Sequence, residues 1–515
     1  MCVGSECGRP DFSRRGFLTA ATAVGASLLG PVRFASADEG QSRTQVITGH
    51  FEPGTPDFVY LPVEVPPGVA RFSAVYGYAK PDVPPGTPGN SCDIGVFDAR
   101  GTGLGGAGFR GWSGGFRDRF EISRTEATPG YLPGEVMPGT WHIVLGPYTI
   151  APEGMDYRVE VTLTYGPPGA GYRPHYPPEK ARGRGRDWYR GDCHLHTVYS
   201  DGKRLPAEVA AGAREAKLDF ITSTDHNTSS SHGVWGDFAG DDLLIMLGEE
   251  VTTRNGHWLA LGVRPGQFVD WRYRSRDDAL PRYQREVHGA GGLCVAAHPY
   301  CPWVACNFKF GYRDFDAVEV WNGPWTWDDE ATVAEWDGML AAAARGESRW
   351  LPAMGNSDAH NPGNVIGLPQ NVVFADNLSR DAILRGLKAG RSWIAESSEV
   401  VLSFVATGPR GQSAGIGERL AVDNGDKVAV RLEVAGVPGG TVRLITDEGQ
   451  ILQTSLPASG TGTVTWLTTP DVSAYARAEV RHPSADGSAG APALSPGFNF
   501  GAMAALTNPI FFGHP

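Results

Sequence analysis

Residues 191–203 read GDCHLHTVYSDGK. His194 and His196 are spaced i, i+2, so an extended strand carries both imidazoles on one face. Two neutral imidazoles converging at a strand end supply half of a metal site, since histidine is the commonest side-chain ligand. Asp201 follows in a Ser-Asp-Gly turn and adds a hard carboxylate from the loop that the strand feeds. Cys193 lies between the histidines, points to the opposite face and reads as a small buried hydrophobe. A lone His-x-His is often a surface accident, and the decision rests on matching ligand types further along the chain.

Outward from this stretch, residues 187–400 alternate strand-like and helix-like segments. Residues 206–217 (PAEVAAGAREAK) have the helical period with proline in the first turn, and 278–289, 329–345 and 380–389 are further helices. Strands are predicted at 218–224, 243–247, 257–263, 293–297, 317–321 and 350–354. Such alternation means a parallel sheet or a β/α barrel. Nearly every strand ends in ligand-type residues: Asp225-His226-Asn227, Glu249-Glu250, His298 before Pro299, and Ser357-Asp358-Ala359-His360, while His257 opens a strand. In β/α barrels the C-terminal strand ends form the site, so these residues can converge. The set exceeds what one metal uses and suits two or three divalent transition ions. Mixed histidine and carboxylate donors suit Zn, Mn or Fe better than Mg or Ca. His232 and His288 stand apart, in a Ser-rich loop and on a helix.

Taken in order, HLH, SDG, TDH, Glu250, His257, AHP and SDAH resemble the PHP (polymerase and histidinol phosphatase) superfamily. GEEVTT…GHWLALG, VEVWNG and the closing ALTNPI resemble, within it, the CehA/McbA metallohydrolases. The resemblance covers about residues 187–400 and implies a distorted (β/α)7 barrel. It implies a first metal on His194, His196 and Asp358, and Glu250 bridging to a second held by His257 and His298. A third would sit on Asp201, His226 and His360, with Asp201 standing where other members use histidine. Asp192 and Asp225 would orient imidazoles from behind. Glu249 adjoins Glu250, and the family's Gly-x-Glu spacing selects Glu250 as the bridge.

The expected chemistry follows from the metals. A water bridging two cations ionises near neutral pH, and this metal-bridging hydroxide is the expected nucleophile. Glu250, Asp358, Asp201 and His360 are the expected catalytic residues, and Glu249, Asp201 or His360 would pass a proton to the leaving group. A serine nucleophile is not expected, because Ser357 lies in no G-x-S-x-G elbow. An amidohydrolase barrel also opens with His-x-His, but it needs a bridging lysine and closes on a lone aspartate, whereas His360 accompanies Asp358 here.

The flanks read differently. The chain has 515 residues, 41% hydrophobic and 20% charged, so several globular domains are expected. A formal charge of −12 argues against a nucleic-acid partner. Residues 1–37 read as a twin-arginine signal: Ser13-Arg14-Arg15-Gly16-Phe17-Leu18, a short apolar run too short to span a bilayer, then Ala35-Ser36-Ala37 for cleavage. The expected partners are therefore the twin-arginine export machinery and a small-molecule substrate. The expected location is periplasmic, extracellular or on the cell surface, with no transmembrane segment after cleavage. Residues 38–168 read as an all-β sandwich, with strands at 45–51, 57–65, 70–78, 92–97, 140–145 and 157–165, and loosely resemble the pre-peptidase C-terminal type. Residues 169–186 form a linker rich in Pro, Gly and Arg, and 401–515 read as a second sandwich closing on a strand at 505–512. Cys301 and Cys306 are placed to pair in an oxidising compartment.

Two enzyme classes compete. A phosphoesterase, the commoner PHP activity, needs cations beside its metals, and Lys203, Arg204, Arg254 and Arg391 are candidates. An ester, carbamate or amide hydrolase needs a less charged mouth. The aromatics Trp235, Trp258, Tyr300, Trp303, Trp321, Trp325 and Trp327, with Asn227 and Asn322 to orient a carbonyl, favour it. Lys203, Asn227, Arg254, Trp303, Asn322 and Trp325 are the substrate candidates. A non-catalytic surface-binding protein is the reading from another class, and an intact ligand set argues against it. All ligands are expected within 187–400, so deleting 38–168 is expected to leave metal content unchanged.

Overall fold

The computed structural model describes residues 40–303, 306–483 and 501–514. The signal segment 1–37 and the Ser/Ala/Gly/Pro-rich stretch 484–496 lie outside the described residues.

The first eight strands are β1 (Ser42–Phe51), β2 (Val59–Val65), β3 (Val69–Tyr78), β4 (Ser91–Phe97), β5 (Phe109–Gly114), β6 (Arg119–Ser123), β7 (Gly139–Thr149) and β8 (Met155–Tyr165). They form two antiparallel sheets, ordered β1-β8-β3-β6 and β2-β7-β4-β5. Alternation along β8 buries Val159, Val161 and Leu163, which share one core with Phe72 and with Val63, Trp141 and Ile143 of the other sheet. The sequence reading missed β5 and β6, where Gly and Arg interrupt the apolar alternation.

The central region comprises β9 (Asp187–Asp192), α1 (Pro206–Glu215), β10 (Phe220–Ser223), β11 (Leu244–Thr253), β12 (Gly256–Leu261), α2 (Leu280–Gly289), β13 (Leu293–Ala296), β14 (Ala317–Asn322), α3 (Trp327–Ala344), β15 (Ala353–Asn356), β16 (Gln370–Ala375), α4 (Arg380–Lys388) and β17 (Ser392–Ala395). Its sheet runs β15-β14-β13-β12-β11-β10-β9-β16-β17. β9, β10 and β11 are parallel, as are β13, β14 and β15, but β12 is antiparallel to both its neighbours. The expected strand–helix alternation therefore breaks twice. β10 leads to β11 through a 3-10 turn at His232–Asp237, and a tight hairpin joins β11 to β12. Leu195, past the end of β9, bridges in parallel to Ala359, past the end of β15. The two ends of this run of strands thus meet where the ligand motifs lie. β16 and β17 were not predicted: Gln370 and Asn371 look like loop residues, yet both are buried, Asn371 against the backbone of Gly355 and the side chain of Asn356.

The last strands are β18 (Val401–Thr407), β19 (Ser413–Gly415), β20 (Arg419–Leu420), β21 (Val428–Ala435), β22 (Thr441–Thr446), β23 (Gly449–Ser455), β24 (Gly462–Thr468), β25 (Tyr475–Arg481), β26 (Met503–Thr507) and β27 (Ile510–Phe512). β18, β19, β21 and β24 make a separate sheet. β26 instead pairs with β17, and β25, β22 and β23 extend the central sheet beyond it. The expected single strand at 505–512 is broken at Asn508-Pro509. The Asn508 side chain accepts from Ala353 N and donates to the carbonyls of Ala353 and Ser392.

The first region also packs on the central one. Phe97, Phe109, Trp112 and Val144 belong to the core that contains Trp258 and Trp271. Phe109 stacks on Phe268, ring centroids 3.9 Å apart. Among the described residues, no helix is long and apolar enough to cross a membrane.

Candidate metal centre

β9 ends at Asp192, and His194 and His196 follow in extended backbone, so both rings still fall on one side, centroids 5.1 Å apart. Glu250 on β11 meets them. Its Oε2 lies 3.1 Å from His194 Nε2, 3.3 Å from His196 Nε2 and 2.8 Å from His226 Nδ1. Its Oε1 lies 2.8 Å from His257 Nδ1 and 3.2 Å from His298 Nε2. Each oxygen of Glu250 therefore faces a different set of histidines, as a bridging carboxylate must. Asp358 Oδ1 closes the first set, 3.2 Å from His194 Nε2 and 2.9 Å from His196 Nε2. A further group gathers His196, Asp201, His226 and His360, with His360 Nε2 at 3.2 Å from Asp201 Oδ1.

The polar bookkeeping of the first set tests whether a cation fits. His194 Nδ1 is hydrogen-bonded to Glu319, at 3.0 and 3.3 Å from its two oxygens. A proton on Nδ1 would leave the lone pair of Nε2 pointing at two carboxylates, Glu250 and Asp358. His194 Nε2, His196 Nε2, Glu250 Oε2 and Asp358 Oδ1 are all buried without a hydrogen-bond partner, as is Asp201 Oδ1. Lone pairs of imidazole and carboxylate converging away from water repel unless a positive charge lies between them. The residues fit divalent ions: His194, His196, Glu250 and Asp358 for one, Glu250, His257 and His298 for a second, and Asp201, His226 and His360 for a third.

Electrostatics agree with the geometry. Burial raises Glu250 and Asp358, but the surrounding histidines outweigh it and hold both well below the usual carboxylate range. Burial lowers His257 to about 4 against the opposing pull of Glu250, which keeps its ring neutral. His298 and Asp358 both adopt positive φ, 26° and 48°. Non-glycine residues held there are strained, and such strain concentrates at functional sites.

Several sequence expectations need correction. Glu249 is on the other face of β11, where its Oε2 accepts from Val269 N and burial pushes its carboxyl well above the usual range. It neither orients a metal ligand nor passes protons. Asp192 accepts from the backbone N–H groups of His194, Ser357 and Gly367 and from the Ser357 hydroxyl, so it fixes loops and touches no imidazole. Asp225 acts on His196 through an intermediary: Ser200 Oγ donates to Asp225 at 2.7 Å and lies 3.4 Å from His196 Nδ1.

Among the substrate candidates, Asn227 is locked to both N and O of Thr252. Asn322 donates to Glu319 and Asp358 and so holds ligands in place. Arg254 donates to the carbonyls of Pro147 and Tyr148 and pairs with Asp57 on the first β region. Arg204 binds the carbonyls of Pro362 and Asn364. Arg391 precedes β17 at the opposite end of the sheet, where Phe374 pairs with Trp188 at the start of β9. Lys203 is exposed beside the site, its backbone N–H donating to His360 O. Trp325 packs on Trp321 and donates to Glu330, whereas Trp303 is 65% exposed. Trp235, Trp258 and Trp321 are core.

Sequence reading missed Glu319, which is fully enclosed and takes hydrogen bonds from His194, His298 N, Asn322 and Asn356. The signal was there: Glu319 is the lone acid inside the apolar strand β14 (AVEVWN). Cys301 and Cys306 are disulfide-bonded, and Cys92, Cys193 and Cys294 are free and buried.

No protein-family model matches the chain, and no curated protein does. Solved structures do. One, from Bacteroides vulgatus, is described as a two-domain protein containing a predicted PHP-like metal-dependent phosphoesterase. It is 17% identical with a TM-score of 0.33, over 61% of this chain and 95% of that one. A structure from Bifidobacterium adolescentis, described as a putative metal-dependent phosphoesterase, is 20% identical (TM-score 0.26), over 41% and 96% of the two chains. An amidohydrolase from Chromobacterium violaceum is 18% identical (TM-score 0.25), over 34% and 89%.

Proposed function

We propose that the chain is an exported metal-dependent hydrolase of the PHP type, CehA/McbA-like, acting on ester, carbamate or amide carbonyls. The observation that carries the hydrolase reading is the convergence of orphaned buried donors around Glu250. Divalent ions held there supply Lewis acidity and a water activated near neutral pH. The chain's own residues do the rest. Glu319 and Asn322 hold His194 and Asp358 in position. His360 and Asp201, both part-exposed and 3.2 Å apart, hold the third ion when it is bound, and in its absence they are placed to pass a proton to a leaving group.

The preference for a carbonyl substrate rests on the cations. Of the four candidates for gripping a phosphoryl group, Arg204, Arg254 and Arg391 are engaged elsewhere or remote, which leaves Lys203. Beyond the ions themselves, a doubly charged phosphate ester would find Lys203 as the one remaining side-chain cation of the four. The export reading rests on Arg14-Arg15 and on the Cys301–Cys306 disulfide, which suits an oxidising compartment. The test compares kcat/KM of metal-replete protein on p-nitrophenyl esters and carbamates against p-nitrophenyl phosphate. Higher values on the carbonyl compounds are expected. Preference for the phosphate would replace this reading with a phosphoesterase.

A further inference from the structure

The loop that carries Asp201 is held from outside the central region. It folds back on itself: Ser200 N donates to Thr197 O, Val198 N donates to Arg204 O, and a Cβ on Gly202 would sit 2.6 Å from Thr197 N. Its His196 end is tied to the strands, where His196 N donates to Ala359 O. Its Asp201 end lies on no strand. There the Val198 carbonyl accepts from Nη2 of Arg117, which stands between β5 and β6 of the first β region. Gly130 of the same region, at φ 97°, brings its backbone against the loop. A Cβ there would lie 3.0 Å from Tyr199 O, and the Gly130 carbonyl accepts from Thr228 Oγ1, just past His226. Behind the loop, Asp225 accepts from Thr197 N, Thr197 Oγ1 and Ser200 Oγ. Burial pulls the Arg117 guanidinium below its ordinary range, opposed by Tyr131 and Asp225, and its Nε is buried without a hydrogen-bond partner. An enclosed cation with an unmet donor destabilises the fold, so Arg117 sits there at a cost to stability.

We propose that Arg117 is the positioning residue of the third ion: by fixing Val198 it sets where Asp201 stands relative to His226 and His360. The inference rests on the metal reading above. Asp201 Oδ1 lies 3.2 Å from His360 Nε2 and 3.5 Å from His226 Nε2, and it is buried without a hydrogen-bond partner. A loop released from Arg117 lets this carboxylate swing out to water, which leaves His226 and His360, too few donors to hold an ion firmly. The other ions do not depend on Val198. His194, His196 and Asp358 follow directly on strand ends, and Glu250 is within β11. The first β region, which supplies no ligand, thereby governs whether the third position is filled.

The test titrates the full, metal-free chain with Zn(II) against a chromophoric chelator, which gives the number of ions bound and the affinity of each step. Wild type should bind three. Arg117→Ala should bind two as wild type does and hold the third at least about tenfold more weakly. Asp201→Ala should show the same two-ion pattern, and adding Arg117→Ala to it should cost no further affinity. Arg117→Lys, which keeps the charge and a donor, should recover most of the third step. A merely structural role would weaken every step together as Tm falls. A third ion bound by Arg117→Ala as tightly as by wild type, or a parallel loss of all ions, would overturn the proposal and leave the metal reading intact. Wild type binding only two ions would also overturn it, and wild type binding none would overturn the metal reading as well. If Arg117→Ala does not fold, Arg117→Gln is measured in its place: uncharged and shorter, it should show the same selective loss.

Discussion

Glu250 turns toward the histidines and Glu249 away from them, because β11 alternates its side chains between two faces. Glu319 stands behind His194, so Glu319→Gln should weaken metal affinity by roughly 10–100-fold. Glu250→Ala should cost more than that and lower bound metal at two sites, while Glu249→Gln, on the opposite face of β11, should leave metal content unchanged. Elemental analysis with kcat/KM decides, and equal effects at 249 and 250 would move the bridge. His232 offers a test in stability. Its Nε2–H donates to Gly248 O, its Nδ1 accepts from Gly266 N, and burial lowers it from 6.5 to about 4. Between those values the unfolded chain binds a proton that the folded one refuses. The contribution is whole above pH 6.5 and is lost as pH falls towards 4, a change of about 3 kcal/mol. His232→Gln, which keeps a donor and an acceptor, should flatten the fall in Tm over that window, and an unchanged slope would assign the acid loss to other groups.

Asn508 joins elements that are far apart in sequence. Its amide satisfies Ala353 on β15 and Ser392 on β17, deep in the core where no water reaches. Asn508→Ala would leave those buried backbone groups unpaired, and a loss of about 2–4 kcal/mol in urea unfolding is expected. The chain just past β15 carries Asp358, so metal affinity should fall with it. A variant as stable as wild type would mean that the amide is incidental to the junction. The β11–β12 hairpin is a second junction. Arg254 at its tip grips the carbonyls of Pro147 and Tyr148, and thereby couples the strands bearing Glu250 and His257 to the first β region.

The described residues form one compact unit. Trp112 and Phe109 of β5 pack on Trp271 and Phe268 of the central region, and Arg272 reaches across to Tyr60 and Thr102. The nine anticipated ligands recur in the acid and histidine groups of the described residues and fall between 194 and 360, whereas Glu319, Cys306 and the separate cluster of His288, Cys294 and Asp316 were not anticipated. Deleting residues 38–168 would strip aromatic cover from the central core. The truncated chain should melt lower, or aggregate, and should bind less metal. An unchanged Tm with full metal content would show that the shared core is dispensable.

The order and spacing of HLH, SDG, TDH, AHP and SDAH were enough to name the candidate ligands, because metal binding selects residue types that few other roles place in series. Strongly alternating strands such as β8 and periodic helices such as α4 were legible for the same kind of reason: burial on one face leaves a repeat in the sequence. Three things were decided by tertiary structure alone. Which face of β11 meets the metals depends on strand register, and two adjacent glutamates carry no mark of it. Whether Arg254 and Asn227 face a substrate or a neighbour depends on contacts across long stretches of chain, as with Pro147 and Thr252. And Gln370, Asn371 and Asn508 look like loop residues in isolation, yet they lie in or beside strands at the core, because polar side chains can be buried only where partners from other elements complete their hydrogen bonds.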